Sequence, residues 1–245
     1  MALSPADLDR HKRHLLLKEI GGPGVHKLKA ASVTIVGAGA LGGPCALYLA
    51  AAGVGRITLV DDDVVERSNL QRQVQYTEAD IGEPKAVSLA RRLGEINGSV
   101  IAVPETRRFA AGEHLPGDIL IDGTDNFDAR FALNVLAHQS GRHLVSGAAL
   151  GWQGQVSVFA SRVESGSPCY RCLVPETPPD AETCESLGVV GAVCGMVGTR
   201  MALEALKLIT GAGKPLIGTL WILDGLTGRT RLVTLRQDPA CQDCN

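Results

Sequence analysis

The sequence predicts an α/β fold: a doubly wound, mostly parallel sheet with helices on both faces, extended by antiparallel strands. Three observations carry that reading. Between residues 31 and 146, short β-branched runs alternate with Ala- and Leu-rich stretches of helical length. The first run enters the first of these helices through a glycine-rich turn. Beyond Gly151 the rhythm changes to β-rich runs with few helices between them.

The elements follow in order. Residues 8–17 place basic and apolar side chains at helical spacing and then meet Gly21-Gly22-Pro23-Gly24, which reads as a break. A short amphipathic helix therefore precedes the main fold. Residues 31–36 form a strand, 40–52 a helix and 56–60 a second strand, a βαβ unit whose crossover is right-handed. A helix at 84–96, strands at 100–103 and 118–121, a helix at 127–139 and a strand at 143–146 continue the alternation. Strands at 155–159, 216–223 and 229–235 come next, separated by a proline-rich loop at 168–185 and a helix at 197–209. No linker interrupts them, so they extend the same domain and run antiparallel.

Composition limits the function. The 245 residues carry 24 basic and 26 acidic side chains, a formal net charge of −2. A protein of nucleic acid or of the membrane surface would cluster a basic excess, which is absent. With 45% hydrophobic and 20% charged residues, the chain is not collagen-like, disordered or coiled-coil. It has no apolar run of membrane-spanning length, and residues 1–13 lack the apolar stretch of a secretory signal. A soluble, cytoplasmic protein with no membrane and no nucleic-acid partner is expected.

Seven cysteines is an odd number, and four of them form Cys169-x-x-Cys172 and Cys241-x-x-Cys244, the spacing of metal ligands. Four thiolates suit a closed tetrahedral Zn²⁺ site, so a structural zinc centre of four cysteines is expected to pin the last residues to the loop after strand 155–159. A redox dithiol and incidental cysteines are the competing readings. Cys45 and Cys194 lie in Ala-, Val- and Gly-rich helical surroundings and read as small core residues.

Gly37-Ala38-Gly39-Ala40-Leu41-Gly42 follows the first strand and opens its helix, which makes the fold Rossmann-like. There the glycines allow a tight turn and close backbone approach to phosphate, with helix N–H groups free for the anion. Pro44 suits a first turn, whose N–H has no partner anyway. Asp61 ends the second strand, where a carboxylate accepts from ribose hydroxyls. Arg72 and Lys85 add cations near the carboxyl ends of the strands. A diphosphate is already served by the turn, whereas a triphosphate needs more positive charge; solvated surface charge is the plainer alternative for either residue. Asp125 reaches the same edge, as a Mg²⁺ ligand or as the cap of the helix that follows.

Arg13-His14-Leu-Leu-Leu, Gly37-x-Gly39-x-x-Gly42, Asp61-Asp62-Asp63, Ser68-Asn69-Leu70-Gln71-Arg72-Gln73, Lys85, Thr124-Asp125-Asn126 and the two distant Cys-x-x-Cys pairs occur in that order. Together they resemble the ThiF/MoeB/HesA family of adenylyltransferases, bacterial relatives of ubiquitin-activating enzymes. The resemblance covers nearly the whole chain, and its one departure is Ala40, where many members carry glycine.

The resemblance implies activation, with ATP and Mg²⁺, of the C-terminal glycine of a ubiquitin-like sulfur-carrier protein of ThiS or MoaD type, ending in Gly-Gly, for thiamine or molybdenum cofactor biosynthesis. It implies that Gly37, Gly39, Ala40, Gly42, Asp61, Asp63, Ser68, Asn69, Leu70, Gln71 and Asn126 bind the nucleotide, with Asp61 on the ribose. Asn69, Arg72 and Lys85 then hold phosphates, Asp125 holds Mg²⁺, and Arg13 reaches across from the partner subunit of a homodimer. Cys184 stands where one branch links covalently to its carrier; a bystander thiol is the alternative, since Glu182 and Glu185 disfavour the thiolate. The chain ends soon after Cys244, so a separate protein is expected to donate the sulfur. On this reading residues 1–245 are one adenylyltransferase domain: a helical segment (1–30), a nucleotide-binding core (31–150) and an antiparallel extension with the zinc site (151–245). An NAD-dependent oxidoreductase would share the glycine turn and Asp61 but leaves Arg13, Arg72 and Asp125 unexplained. A non-catalytic nucleotide-binding subunit is the other rival, and a tRNA-modifying branch of the family a third.

Overall fold

The computed structural model describes residues 3–177 and 187–245. Two short helices, α1 (Pro5–Arg10) and α2 (Lys12–Leu15), lead into α3 (Gly21–Ala30). The stretch read as a break thus opens a helix. Pro23 sits in its first turn, where a missing N–H costs nothing. Gly24 packs so tightly on Ile20 that a Cβ there would stand 2.7 Å from the Ile20 Cγ2. Tertiary contact, not propensity, decides this helix.

The described residues form one eight-stranded sheet in the order β3-β2-β1-β4-β5-β6-β7-β8. The strands are β1 (Ser32–Val36), β2 (Arg56–Val60), β3 (Ile101–Glu105), β4 (Ile119–Asp122), β5 (His143–Leu150), β6 (Gln153–Phe159), β7 (Thr219–Asp224) and β8 (Arg229–Thr234). Pairing is parallel from β3 across to β5 and antiparallel from β5 to β8. The expected architecture is therefore present. β5 runs on to Leu150 because its Gly-Ala-Ala-Leu end, poor in β-formers, is paired with β6 down to Leu150 opposite Gln153.

Further α-helices among the described residues are α4 (Gly42–Ala52), α5 (Lys85–Ile96), α6 (Phe127–Ser140), the single turn α7 (Tyr170–Leu173) and α8 (Gly191–Thr210). Residues alternate across the sheet: Val33, Ile35, Ile57 and Leu59 pack with α3, α4, α5 and α8, while Val36, Val60, Leu120 and Leu144 pack with α6 and α7. Both faces of the inner parallel strands β1, β2 and β4 are buried, which is why they read as nearly continuous apolar runs, while the edge strand β3 is only partly covered. α8 begins six residues before the stretch the sequence marks. Its glycines fit close approaches: a Cβ on Gly191 would meet the Gln71 oxygen at 2.5 Å, and one on Gly198 the Leu41 oxygen at 2.5 Å. No described helix is long and apolar enough to cross a membrane.

Candidate active site

β1 and β4 are neighbours, yet the helices that follow them pack on opposite faces, and open α/β sheets bind ligands at such a division. A cleft of about 1080 Å³ lies there. Its floor is the glycine turn. Gly37 has φ +90°, and a Cβ on it would stand 2.7 Å from the Gly123 carbonyl oxygen; one on Gly42 would stand 1.8 Å from the Gly37 oxygen. These two glycines are demanded by backbone packed on backbone. At Gly39 an added Cβ meets only the Gln73 amide at 3.7 Å, so this glycine leaves the cleft open. Ala40 lines the cleft without a positive φ, and its methyl group is accommodated.

The turn is held from several sides. Gln75 Nε2 donates to the carbonyls of Ala38 and Gly39 at 2.9 and 3.0 Å, and the Tyr76 hydroxyl donates to Ala38 O at 2.8 Å. Asp61 accepts from the Ala38 N–H at 2.7 Å and the Asp63 N–H at 2.9 Å. Burial raises the Asp61 pKa, opposed by those two N–H groups and by Lys85.

Lys85 is the first residue of α5; its side chain is 8% exposed and its ammonium meets the exposed Asp63 carboxylate at 2.7 Å. Arg72 donates through Nη1 to the Ser68 carbonyl at 3.1 Å. Beneath it, buried Asn69 accepts from the Glu66 N–H at 3.2 Å and offers its own carbonyl to the Arg72 N–H at 3.1 Å. Gln73 also lines the cleft, with a buried Oε1 that lacks a hydrogen-bond donor.

On the other side, buried Asp122 ends β4. It accepts from the Thr124 N–H at 3.1 Å, the Thr124 hydroxyl at 2.7 Å and the Ser146 hydroxyl at 2.6 Å. Asn126 caps α6, its Oδ1 accepting from the Ala129 N–H at 2.9 Å. The capping role weighed for Asp125 therefore falls to Asn126, and Asp125 is an exposed carboxylate on the cleft.

Of the residues expected to act here, Gly37, Gly39, Ala40, Asp61, Asp63, Arg72, Lys85, Asp125 and Asn126 line the one cleft. Gly42 packs behind the turn, and Ser68, Asn69, Leu70 and Gln71 build the segment that carries Arg72. Arg13 is exposed on α2 and does not line its own chain's cleft. Cys184 lies outside the described residues.

The sequence reading missed Arg107, Arg108, Arg130, Gln153, Gln155 and Tyr170. Arg107 is tied to Glu105 at 2.7 Å and to Glu113, while Arg108 is exposed on the rim. Arg130 is buried and donates to Thr124 O at 2.7 Å and Gly147 O at 3.1 Å. Burial opposes its charge, but neighbouring Asp122 leads the interactions that raise its pKa. Its signal was available, since it lies one helical turn beyond the N-cap. Gln155 had none, because it reaches the cleft by pairing opposite Ala148. Among the described residues, five carboxylates and five cationic side chains line the cleft. A site for a bare anion would be predominantly cationic; a balanced set suits an anion that arrives with a metal ion.

The four cysteines converge as expected. Sulfur separations are 3.9 Å between Cys169 and Cys172, 3.5 Å between Cys169 and Cys241, and 3.6 Å between Cys172 and Cys244. A disulfide would be far shorter, and four thiolates around Zn²⁺ would stand about 3.8 Å apart. Cys172 Sγ also accepts from the Asp238 N–H at 3.4 Å, the kind of contact that favours a thiolate. The donor set and its spacing fit a structural zinc.

Comparison with known proteins agrees with this geometry. A sulfur carrier protein adenylyltransferase of Thermus thermophilus is 43% identical over 252 residues, which cover 100% of this chain and 93% of that protein. The adenylyltransferase and sulfurtransferase MOCS3-1 of Zea mays is 44% identical over 248 residues, 98% of this chain but 52% of that protein. This chain thus spans about half the length of the maize relative. Among solved structures, E. coli MccB with MccA-N7isoASN superposes with a TM-score of 0.84 at 20% identity, covering 96% of this chain and 75% of that one; this likeness is one of fold. The ThiF family profile matches residues 11–244, and with it the cleft and the cysteine cluster: the chain belongs to the ThiF family.

Proposed function

We propose that the cleft binds ATP with Mg²⁺ and transfers AMP to the C-terminal glycine of a ubiquitin-like sulfur carrier ending in Gly-Gly, for thiamine or molybdenum cofactor biosynthesis. The observation that carries this reading is the convergence of Arg72, Lys85 and Asp125 with the glycine turn on one cleft. The likeness to the sulfur carrier protein adenylyltransferase of Thermus thermophilus supports it.

A carrier carboxylate oxygen attacks the α-phosphorus; a bond forms there, the bond to the β-phosphate oxygen breaks, and pyrophosphate leaves. Both reactants are anions and the nucleophile is already ionised. The protein's task is therefore positioning and charge neutralisation, with no general base required. Asp61 holds the ribose hydroxyls. Arg72 and Lys85 neutralise phosphate charge, and the Asp63 carboxylate keeps the Lys85 ammonium at the cleft until nucleotide arrives. Asp125 holds Mg²⁺, which supplies further neutralisation on the polyphosphate when bound. Arg13 completes the site from the partner in a homodimer; its planar, permanently charged guanidinium suits phosphate. Cys169, Cys172, Cys241 and Cys244 hold a structural zinc, and Cys184 acts after adenylation, in sulfur transfer.

The test is carrier-dependent exchange of pyrophosphate into ATP. Arg72→Ala and Asp125→Ala should each lower it about a hundredfold or more, a few kcal/mol of transition-state stabilisation. Wild-type exchange by both variants would overturn the reading.

A further inference from the structure

We propose that Tyr170 and Arg130 form a positioning pair through which the cysteine knuckle sets the turn at Thr124 and Asp125, and so fixes where Asp125 presents its carboxylate. The inference rests on the reading of Asp125 as a Mg²⁺ ligand.

The turn is held at three atoms of Thr124. Its N–H and hydroxyl bind Asp122, and its carbonyl accepts from Arg130 at 2.7 Å. Asp122 is fixed by the strand it ends, whereas Arg130 is a long side chain with several rotors. It needs an orienting partner as well as the Gly147 carbonyl at 3.1 Å. That partner is Tyr170, which lines one small cavity together with Arg130, Gly147 and Phe159; its hydroxyl there favours the charged guanidinium.

Tyr170 is itself immobilised. Its ring meets Phe131 and Phe159 edge-on, with centroids 5.6 and 5.7 Å away. Its N–H donates to Asn134 Oδ1 at 2.7 Å, Asn134 Nδ2 donates to Asp243 Oδ2 at 2.7 Å, and Asp243 pairs with Arg171 at 2.8 Å. Tyr170 stands between Cys169 and Cys172, and Asp243 between Cys241 and Cys244. Both pairs of the cluster thus feed one network that ends at the carbonyl preceding Asp125.

ATP binding to the full chain, measured by calorimetry with and without Mg²⁺, separates positioning from loosening. Wild type should bind ATP more tightly with Mg²⁺, and Asp125→Ala should lose that gain. Tyr170→Phe should shrink the gain about threefold to tenfold while leaving Mg²⁺-free ATP affinity and metal content unchanged. Adding Tyr170→Phe to Asp125→Ala should change nothing further, because both act through one carboxylate. Arg130→Lys should repeat the Tyr170→Phe pattern more strongly; if it fails to fold, Tyr170→Phe alone decides. A full gain in Tyr170→Phe, equal weakening with and without Mg²⁺, or added loss in the Asp125→Ala background overturns the pair. A full gain in Asp125→Ala removes the Mg²⁺ reading itself, and the pair with it.

Discussion

The parallel and antiparallel halves of the sheet build the same cleft by different means. Apart from Arg72, which rides on the segment between β2 and α5, the groups expected to act in the parallel half hang from a strand end or helix start: Gly37 after β1, Asp61 after β2, Lys85 opening α5, Asp125 after β4. Strand polarity alone gathers them at one edge. In the antiparallel half, Gln155 and Ile222 come from strand interiors, in register with Ala148, and Tyr170 comes from the cysteine knuckle. The halves are also stabilised differently. The first buries both faces of its inner strands β1, β2 and β4; in the second, β8 is exposed along its length and the cysteines supply a cluster of their own. A cleft wall held by register and sulfur should yield before one held by a two-sided core.

The largest effect should come from breaking that sulfur cluster. Cys169→Ser, or chelation of the proposed zinc, should cost on the order of 3 kcal/mol or more, because the binding energy of such a metal is folding energy. Hydrogen exchange locates the loss: β6, β7 and α7 should lose protection while β1 and β2 keep theirs. Equal loss in both halves would show that the sheet opens as one unit and that the contrast is wrong.

Within the parallel half, Asp61 offers a sharper measurement. In its proposed role it accepts from ribose hydroxyls most strongly when ionised, and burial raises its pKa above the ordinary value of about 3.9. ATP affinity should therefore hold at neutral pH and fall on acidification, before an ordinary carboxylate would protonate. Asp61→Asn should remove that acid limb and bind ATP about tenfold more weakly at neutral pH. An unchanged acid limb in Asp61→Asn assigns the titration to another group.

The same contrast explains what was legible in the sequence. β2 was read to the residue, and α5 begins one residue inside its predicted start. The parallel half writes most of its site contiguously, as a turn after a strand, so a motif and its position suffice there; Arg107, Arg108 and Arg130 stand outside such a motif and went unread. Gly21, Gly24 and Gly191 misled because propensity treats glycine as a helix breaker. Two of them fit tertiary packing: Gly24 lies against Ile20 and Gly191 against the Gln71 carbonyl. Gln155 and Tyr170 were illegible because strand register and cysteine geometry place them, and neither is local.

The smallest effect tests the finest assignment in the site. Asp125 and Asn126 are adjacent, and either could cap α6 by residue type. Only one can accept from the Ala129 N–H, and Asn126 does so at 2.9 Å. Asn126→Ala should therefore cost about 1 kcal/mol of stability, the ordinary loss for a helix cap, in a chemical-denaturation midpoint. Asp125→Ala should change that midpoint by less than about 0.5 kcal/mol, as an exposed surface side chain would. The functional order should be reversed, with Asp125→Ala much the more damaging to the Mg²⁺-dependent gain in ATP affinity. Matching losses in both measurements would mean that the two residues share one structural role, leaving Asp125 without a claim on the metal.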